Sequence, residues 1–379
     1  MNIDLAKVHA QKLGQPNLSE HLVAMPFNSL VPILVDTMAR KSEQISAIEL
    51  LREAEMKSAF FAPSNIAQKE LCQFQQFFFQ VMPKNFESIQ LPPIAPLGLC
   101  TALTKLGQNE RLTTIRKSEV ISDSTLALAL QAAVRRKQQC LSPDSIYKDV
   151  SFATFHRLLR LQKFDPEKRW FQHFEILGTI TTGRRQGKNN FRNMTIRNHV
   201  QMWIDFFDLL NKNGYEYRNV LFAFSTVDLM EWILKEYRVN RDEVTQNSLK
   251  SCYDFFDIYH IPLPRQVKSI LELKEILQET FETERIFKQL LQFENEVLEP
   301  LRKANPHVHF SYEMDRRLGL GYFNGICFHG FAENQKGERF DLIDGGASNW
   351  VGQMLSDKHE VTVTSSFGVE IGITQFRQT

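Results

Sequence analysis

The stretch "DRRLGLGYFNGICFHG", residues 315–330, decides how this chain is read. It sets Gly319, Gly321, Gly325 and Gly330 around an adjacent aromatic pair, Tyr322 and Phe323. Glycine loses the most backbone entropy on folding and packs nothing, so it weakens a strand. A strand that tolerates several glycines bends, bulges or lets a ligand come close to its backbone. Taken alone, the stretch reads first as a hairpin with bulges. The ligand-facing alternative has to be carried by its surroundings.

Those surroundings are strands. "HVHFSYEMD" (307–315), "GYFNGICFHGFAE" (321–333) and "ERFDLIDGG" (338–346) form an antiparallel meander with a turn at "QKG" (335–337). "NWVGQML" (349–355) is short and helical. "EVTVTSSFGVEIGITQF" (360–376) is a glycine-interrupted strand turning toward a last element. Upstream, residues 1–62 are helical and polar. The helices over 29–41 and 42–61 each start at a serine suited to capping. A longer helix covers 64–82, with Ser64 as its cap, and a short strand "FESIQL" is stopped by Pro92 and Pro93.

"RLTTIRKSEVI" (111–121) is β-like, and a helix with a basic last turn follows over 122–137. Two strands, 151–164 and 169–184, are joined by a polar turn at residues 165–168. A helix over 192–214 ends at Gly214, a buried strand occupies 219–225, and helices fill 226–304 apart from "HIPLPRQ" (260–266). Hairpins in place of regular strand–helix alternation indicate an α+β domain on an antiparallel sheet.

Composition bounds the function. The 379 residues suit one large or two ordinary domains. Lys+Arg number 45 against 44 Asp+Glu, so no overall field calls for nucleic acid or an anionic membrane. The 5 cysteines form no C-x-x-C pair, which argues against a disulfide framework or a structural zinc site. The histidines form no H-x-x-x-H or Cys/His cluster, so no metal site is expected. The N-terminus "MNIDLAKVHAQKLGQ" has no apolar leader region and no apolar run is long enough to span a bilayer. No membrane partner and a cytoplasmic location are therefore expected. The 30 phenylalanines cluster in "CQFQQFFFQ" (72–80) and two "DFFD" segments, where helical spacing assigns them to packing or an interface.

The order of the parts resembles the catalytic core of class II aminoacyl-tRNA synthetases over roughly residues 64–379. "FQQFFFQVMPKNFESIQLPPI" is similar to motif 1, and "FHRLLRLQKFDPEKRWFQHFEILG" to motif 2. The opening stretch resembles the histidyl branch. "L-G-L-G-Y-F-N-G" (318–325) stands for that branch's "R-G-L-D-Y-Y-T-G", and "G-G-A-S-N-W" (345–350) for its "G-G-R-Y-D". "SSFGVEIGITQF" (365–376) resembles motif 3, "G-F-A-I-G-L-E-R-L".

The resemblance implies a six-stranded antiparallel sheet flanked by helices. The synthetase-like core would comprise 64–225 and 305–379, with a helical insertion at 226–304 and an N-terminal helical extension at 1–63. It implies an amino-acid pocket. Asp123 and Thr125 in "ISDST" match the acid-x-Thr of the family's "L-R-P-E-G-T", with Glu119 a rival for the acid. Glu175 matches the acid of "E-x-x-G", and Tyr322 and Phe323 match the two tyrosines. Gly319, Gly321 and Gly325 would form the pocket floor. Asp123 reads alternatively as a helix cap, and Glu175 as a charge paired with Arg157, Arg160 or Arg169. His173 is read as structural, and the basic turn at 183–187 as a solvated loop tip.

ATP with magnesium would be the cofactor if adenylation survives, and otherwise none. Arg157 or Arg160 would stand for the nucleotide-binding motif 2 arginine, with Arg160 as the catalytic candidate. Gln375 falls where the ATP-clamping motif 3 arginine stands, and Leu318 where the histidyl branch has its catalytic arginine. Arg316 and Arg317 are close, but a one-residue slip in a strand reverses the side chain's face. Arg184 and Arg377 are further substitutes. Losing one such donor costs about 3–4 kcal/mol of transition-state stabilisation.

A paralogue without tRNA charging is therefore expected, since the chain also ends just after motif 3. It would keep a pocket for a small amino acid-like ligand and serve regulation or assembly, including with a protein partner. The alternatives are ATP-dependent activation of an amino or carboxylic acid for a non-tRNA acceptor, and an interaction protein without a small-molecule site. A homodimer is expected through Phe74, Phe77, Phe78 and Phe79 on the motif 1 helix.

Overall fold

The computed structural model describes residues 5–104, 108, 111–141, 148–161, 171–184, 190–248, 253–277, 280–317 and 319–378. The turn at 165–168, Arg169, Gly187 and Leu318 lie outside the described residues. The strands are β1 (Glu87–Ser88), β2 (Ile94–Pro96), β3 (Ser118–Val120), β4 (Val150–Leu159), β5 (His173–Arg184), β6 (Arg218–Thr226), β7 (Gln266–Val267), β8 (His309–Glu313), β9 (Ile326–Glu333), β10 (Arg339–Ser348) and β11 (Glu360–Gly368).

All but β2 and β3 join one sheet in the order β1-β4-β5-β11-β10-β9-β6-β8-β7. The inner run from β4 to β6 is antiparallel throughout, as expected from the sequence. β1 and β8 add to it in parallel, and β7 pairs antiparallel at the far edge. The β-like stretch 111–121 contributes only β3, paired with β2 outside the main sheet.

Alternation along β5 sorts the side chains into two layers. Leu177 joins the core of the long helices Gln68–Val81 and Asn190–Asn211. Ile180, Phe174 and Ile176 pack against the helix Ser124–Leu141 on the other face. That helix lies unusually close to β5: a Cβ on Gly178 would stand 2.6 Å from Ser124 Oγ. A bidentate ion pair fastens it to β11. Arg136 Nε and Nη2 donate to Glu360 at 2.7 and 2.8 Å, and both side chains are fully buried.

The phenylalanine cluster is internal. Phe74 and Phe78 are wholly buried against Trp203, Phe206 and Phe367. Phe77 is partly buried on the same core, and only Phe79, at 44%, stays exposed. The premise of an aromatic stripe too large for one chain to cover is thus corrected: the helix Asn190–Asn211 covers it. Two caps also move. The helix Ala47–Met56 is capped by Ser46, whose hydroxyl and Glu49 form a reciprocal capping box, and not by Ser42. The helix Gln68–Val81 starts after Ala67, while Ser64 donates to Glu370 Oε1. Between 227 and 304 the described chain is mainly helical, with β7 as its only strand among the described residues, and no described helix is long and apolar enough to cross a membrane.

Candidate functional site

The helix Ser124–Leu141 starts against the face of the sheet, and its first turn builds a tight polar corner. Asp123 Oδ1 accepts the backbone N–H groups of Thr125 and Leu126 at 2.9 and 3.3 Å and the Thr125 hydroxyl at 2.6 Å. Tyr322 donates its hydroxyl to Asp123 Oδ2 at 2.8 Å and stands 2.6 Å from Thr125 Oγ1. Asp123 is therefore a helix cap and a partner of Tyr322 at once. Burial, and then the Asp123 carboxylate, push the Tyr322 phenol well above its ordinary range. The rival acid Glu119 is buried and committed to the Gly98 N–H and Gln108 Nε2.

The two candidate arginines, Arg157 and Arg160, separate by strand parity. Arg160 follows β4 on the corner's side, donating Nε to the Ser122 carbonyl at 2.8 Å and lying over the Phe174 ring. Arg157 pairs across the strands with Glu175 on the opposite face, beside Glu370 at 3.0 Å and His173 at 2.9 Å. Its Nε is 3.8 Å from Glu175 Oε2. Burial lifts the Glu175 carboxyl against the pull of Arg157. His173 is held by the Ala62 carbonyl as well.

The expected single pocket is corrected by this geometry. Asp123, Thr125 and Tyr322 come together. Glu175 faces the other layer, because β4–β5 register sends odd-numbered β5 residues there. Glu175 and Gln375 line a separate cavity of about 340 Å³ with Ile66, Phe171, Phe174 and Phe340. Gln375 is exposed on the last turn of the helix Val369–Phe376. The junction of that helix with β11 falls at Gly368.

The glycines are turn residues, not a strand floor. Gly319 and Gly321 have φ of 102° and 79°, and β9 begins only at Ile326. A Cβ on Gly319 would come within 2.8 Å of the Phe323 ring, so glycine lets that ring tuck inward. Gly325 borders a different cavity of about 200 Å³ with Ser348 and Lys358.

Beneath Phe323 lies a cluster that sequence reading missed. Arg316 is almost fully buried, donates Nη2 to Asp344 Oδ1 at 2.5 Å and has Nη1 3.9 Å from Glu313. Its guanidinium also lies 5.7 Å from the Phe323 centroid. His329 Nδ1 is 2.9 Å from Glu313 Oε2, while Nε2 stands 3.8 Å from Asp344 and 3.9 Å from Asp341. The available signal was polar residues breaking the apolar strands "HFSYE", "ICFHG" and "FDLIDGG". The other arginine substitutes are tied at the surface, Arg184 to Asp357 and Arg377 to Glu70.

No protein-family model matches the chain, and no curated protein matches it in sequence. Solved structures do match. An ATP phosphoribosyltransferase regulatory subunit/histidyl-tRNA synthetase from Bacillus halodurans is 12% identical with a TM-score of 0.58, covering 82% of this chain and 80% of that one. Histidyl-tRNA synthetase from Nostoc sp. PCC 7120 is 13% identical with a TM-score of 0.54, covering 81% of this chain and 72% of that one. At such identity the likeness is one of fold: the chain carries the histidyl-tRNA synthetase-like class II fold.

Proposed function

We propose, from this histidyl-tRNA synthetase-like fold, that the chain is a paralogue that does not charge tRNA and binds a small amino acid-like ligand for regulation or assembly. The observation that carries the reading is the state of Arg316. Its charge is buried and already balanced by Asp344 and Glu313, so it is not presented to a phosphate. Arg157 is likewise committed to Glu370 and Glu175, and Arg160 to Ser122 and Phe174. Adenylation needs positive charge at the attacked phosphate, supplied by a pre-positioned fork. These residues do not fit a triphosphate with magnesium.

The corner at Asp123 supports the ligand half of the reading. Its carboxylate accepts donors from Thr125 and Tyr322, the kind of acceptor pole an ammonium group would take over. The two roles separate in one pair of experiments. ATP–pyrophosphate exchange over a panel of amino acids is expected to give no turnover. A thermal-denaturation panel is expected to give one stabilising amino acid or close analogue, by about 2.7 kcal/mol at 100 times its Kd. Exchange with any acid, abolished in Arg160→Ala, would instead establish the activating enzyme. No response in either assay would leave an interaction protein.

A further inference from the structure

The molecule holds a further polar cavity, about 280 Å³, between the sheet and the helical segment 227–304. Its walls come from Glu313, Asp315 and Arg317 at the end of β8, His329 and Phe331 on β9, Asp341 on β10, and the segment Tyr253–Phe255. It shares no lining residue with the Asp123 corner and does not depend on the function proposed above.

We propose that this cavity binds a small organic cation, an ammonium group carried on an apolar body. Four features converge on it. His329 is only 5% exposed, yet its Nε2 has no hydrogen-bond partner. Its Nδ1 is engaged by Glu313, so a neutral His329 turns a lone pair outward at Nε2. A β-bulge between Asp341 and Ile343 breaks the alternation of β10. Bulges re-aim side chains. Here the shift lets Asp341 and Asp344, which strict alternation would point to opposite faces, both approach the same imidazole nitrogen.

The acceptors of Asp341 and His329 are therefore an unfilled set beside Tyr253 and Phe255, the environment that favours an ammonium ion, while the Phe331 ring is already covered by the Arg339 guanidinium at 4.2 Å. A metal ion is the weaker occupant, because among the described residues no group of three or more His, Cys, Asp and Glu is placed to hold one. The neighbouring acids are already spent. Asp254 and Asp315 are both bound to Arg265.

The site's charge depends on His329. Burial and Arg316 oppose its proton, and Glu313 and Asp341 outweigh them, so the imidazole titrates above its ordinary value. The groups facing it are Glu313, Arg316, Arg339, Asp341 and Asp344 from the sheet side, with Asp315 and Arg317 beyond β8, and Tyr253, Asp254 and Arg265 from the helical segment. A protonated His329 repels a cation. Binding should therefore strengthen as pH rises through the raised imidazole pKa.

The test is calorimetric titration of the full chain with benzylamine, with benzyl alcohol as the uncharged probe. Saturable benzylamine binding is expected, with none for the alcohol. Affinity should rise as pH is raised through and above the ordinary imidazole value of 6.5 and fall at least about tenfold in Asp341→Asn. The imidazole NMR signals of His329 should shift on binding in the wild-type chain, a readout that holds even if the variant does not fold. Absence of saturable binding in the folded chain across that pH range would overturn the proposal. So would affinity unchanged in a folded Asp341→Asn, or equal binding of the alcohol.

Discussion

Tyr322 Oη stands 2.6 Å from Thr125 Oγ1, although 197 positions separate the two residues in sequence. This bond, with Tyr322 to Asp123, ties the glycine-rich turn to the first turn of the helix Ser124–Leu141. Tyr322→Phe removes the donor and keeps the ring against Trp350. A hydrogen bond to a charged group contributes about 1.5–3 kcal/mol, so a loss in that range is expected in denaturant unfolding. A loss below about 0.5 kcal/mol would mean that water replaces the bond freely.

The buried pair of Arg136 and Glu360 should behave asymmetrically. Removing one partner leaves an uncompensated charge in the core, so Glu360→Gln is expected to cost about 3–5 kcal/mol. Thr182 also donates to Glu360, at 2.9 Å, and loses a charged acceptor. The double variant Arg136→Met, Glu360→Leu should cost much less than the sum of the single changes. Additive losses in the cycle would contradict the pairing.

His199 should give the fold an acid limit. It is wholly enclosed between β5 and the helix Asn190–Asn211, bonded near Thr181 and Ser365, and burial pulls its pKa from 6.5 down to about 3. The folded chain keeps the imidazole neutral while the unfolded chain protonates it. Its contribution is therefore complete above the ordinary value and is lost as pH falls below 6.5, by about 1.4 kcal/mol per pH unit until the folded group titrates. Unfolding free energies of wild type and His199→Gln, compared from neutral pH to about pH 5, should show the steeper slope in the wild type. Equal slopes would mean that His199 reaches solvent.

Phe78 and Phe79 are adjacent but should respond differently. Phe78→Ala empties a buried ring site and is expected to cost about 3–5 kcal/mol. Phe79 is 44% exposed, so Phe79→Ala should cost less than about 1 kcal/mol. If two copies pair through this helix, Phe79→Asp lowers the mass seen by light scattering without lowering stability. An unchanged monomeric mass in both proteins would remove this helix as a self-association face.

Much of the architecture was legible in local pattern. Apolar periodicity marked the helices Gln68–Val81, Ser124–Leu141 and Asn190–Asn211, and alternation marked β4, β5 and the meander of β9 and β10. The order of these parts was enough for the synthetase-like sheet. Element ends were less legible, because several serines near one boundary can each cap and only the closed capping box at Ser46 decides among them.

The sequence by itself determined which segments are helical or extended, that an acid-x-hydroxyl pair spans the start of the helix at 124, and that the places where the resemblance expects arginines carry other residues. Tertiary structure alone decided facing and company. Strand register turned Glu175 away from Asp123, a packed helix covered Phe74 and Phe78, and one bulge aimed Asp341 and Asp344 at His329. The physical reason is that local propensity acts over a few residues. The side to which a strand residue points reverses with a single-residue shift, and only pairing with distant strands fixes that shift.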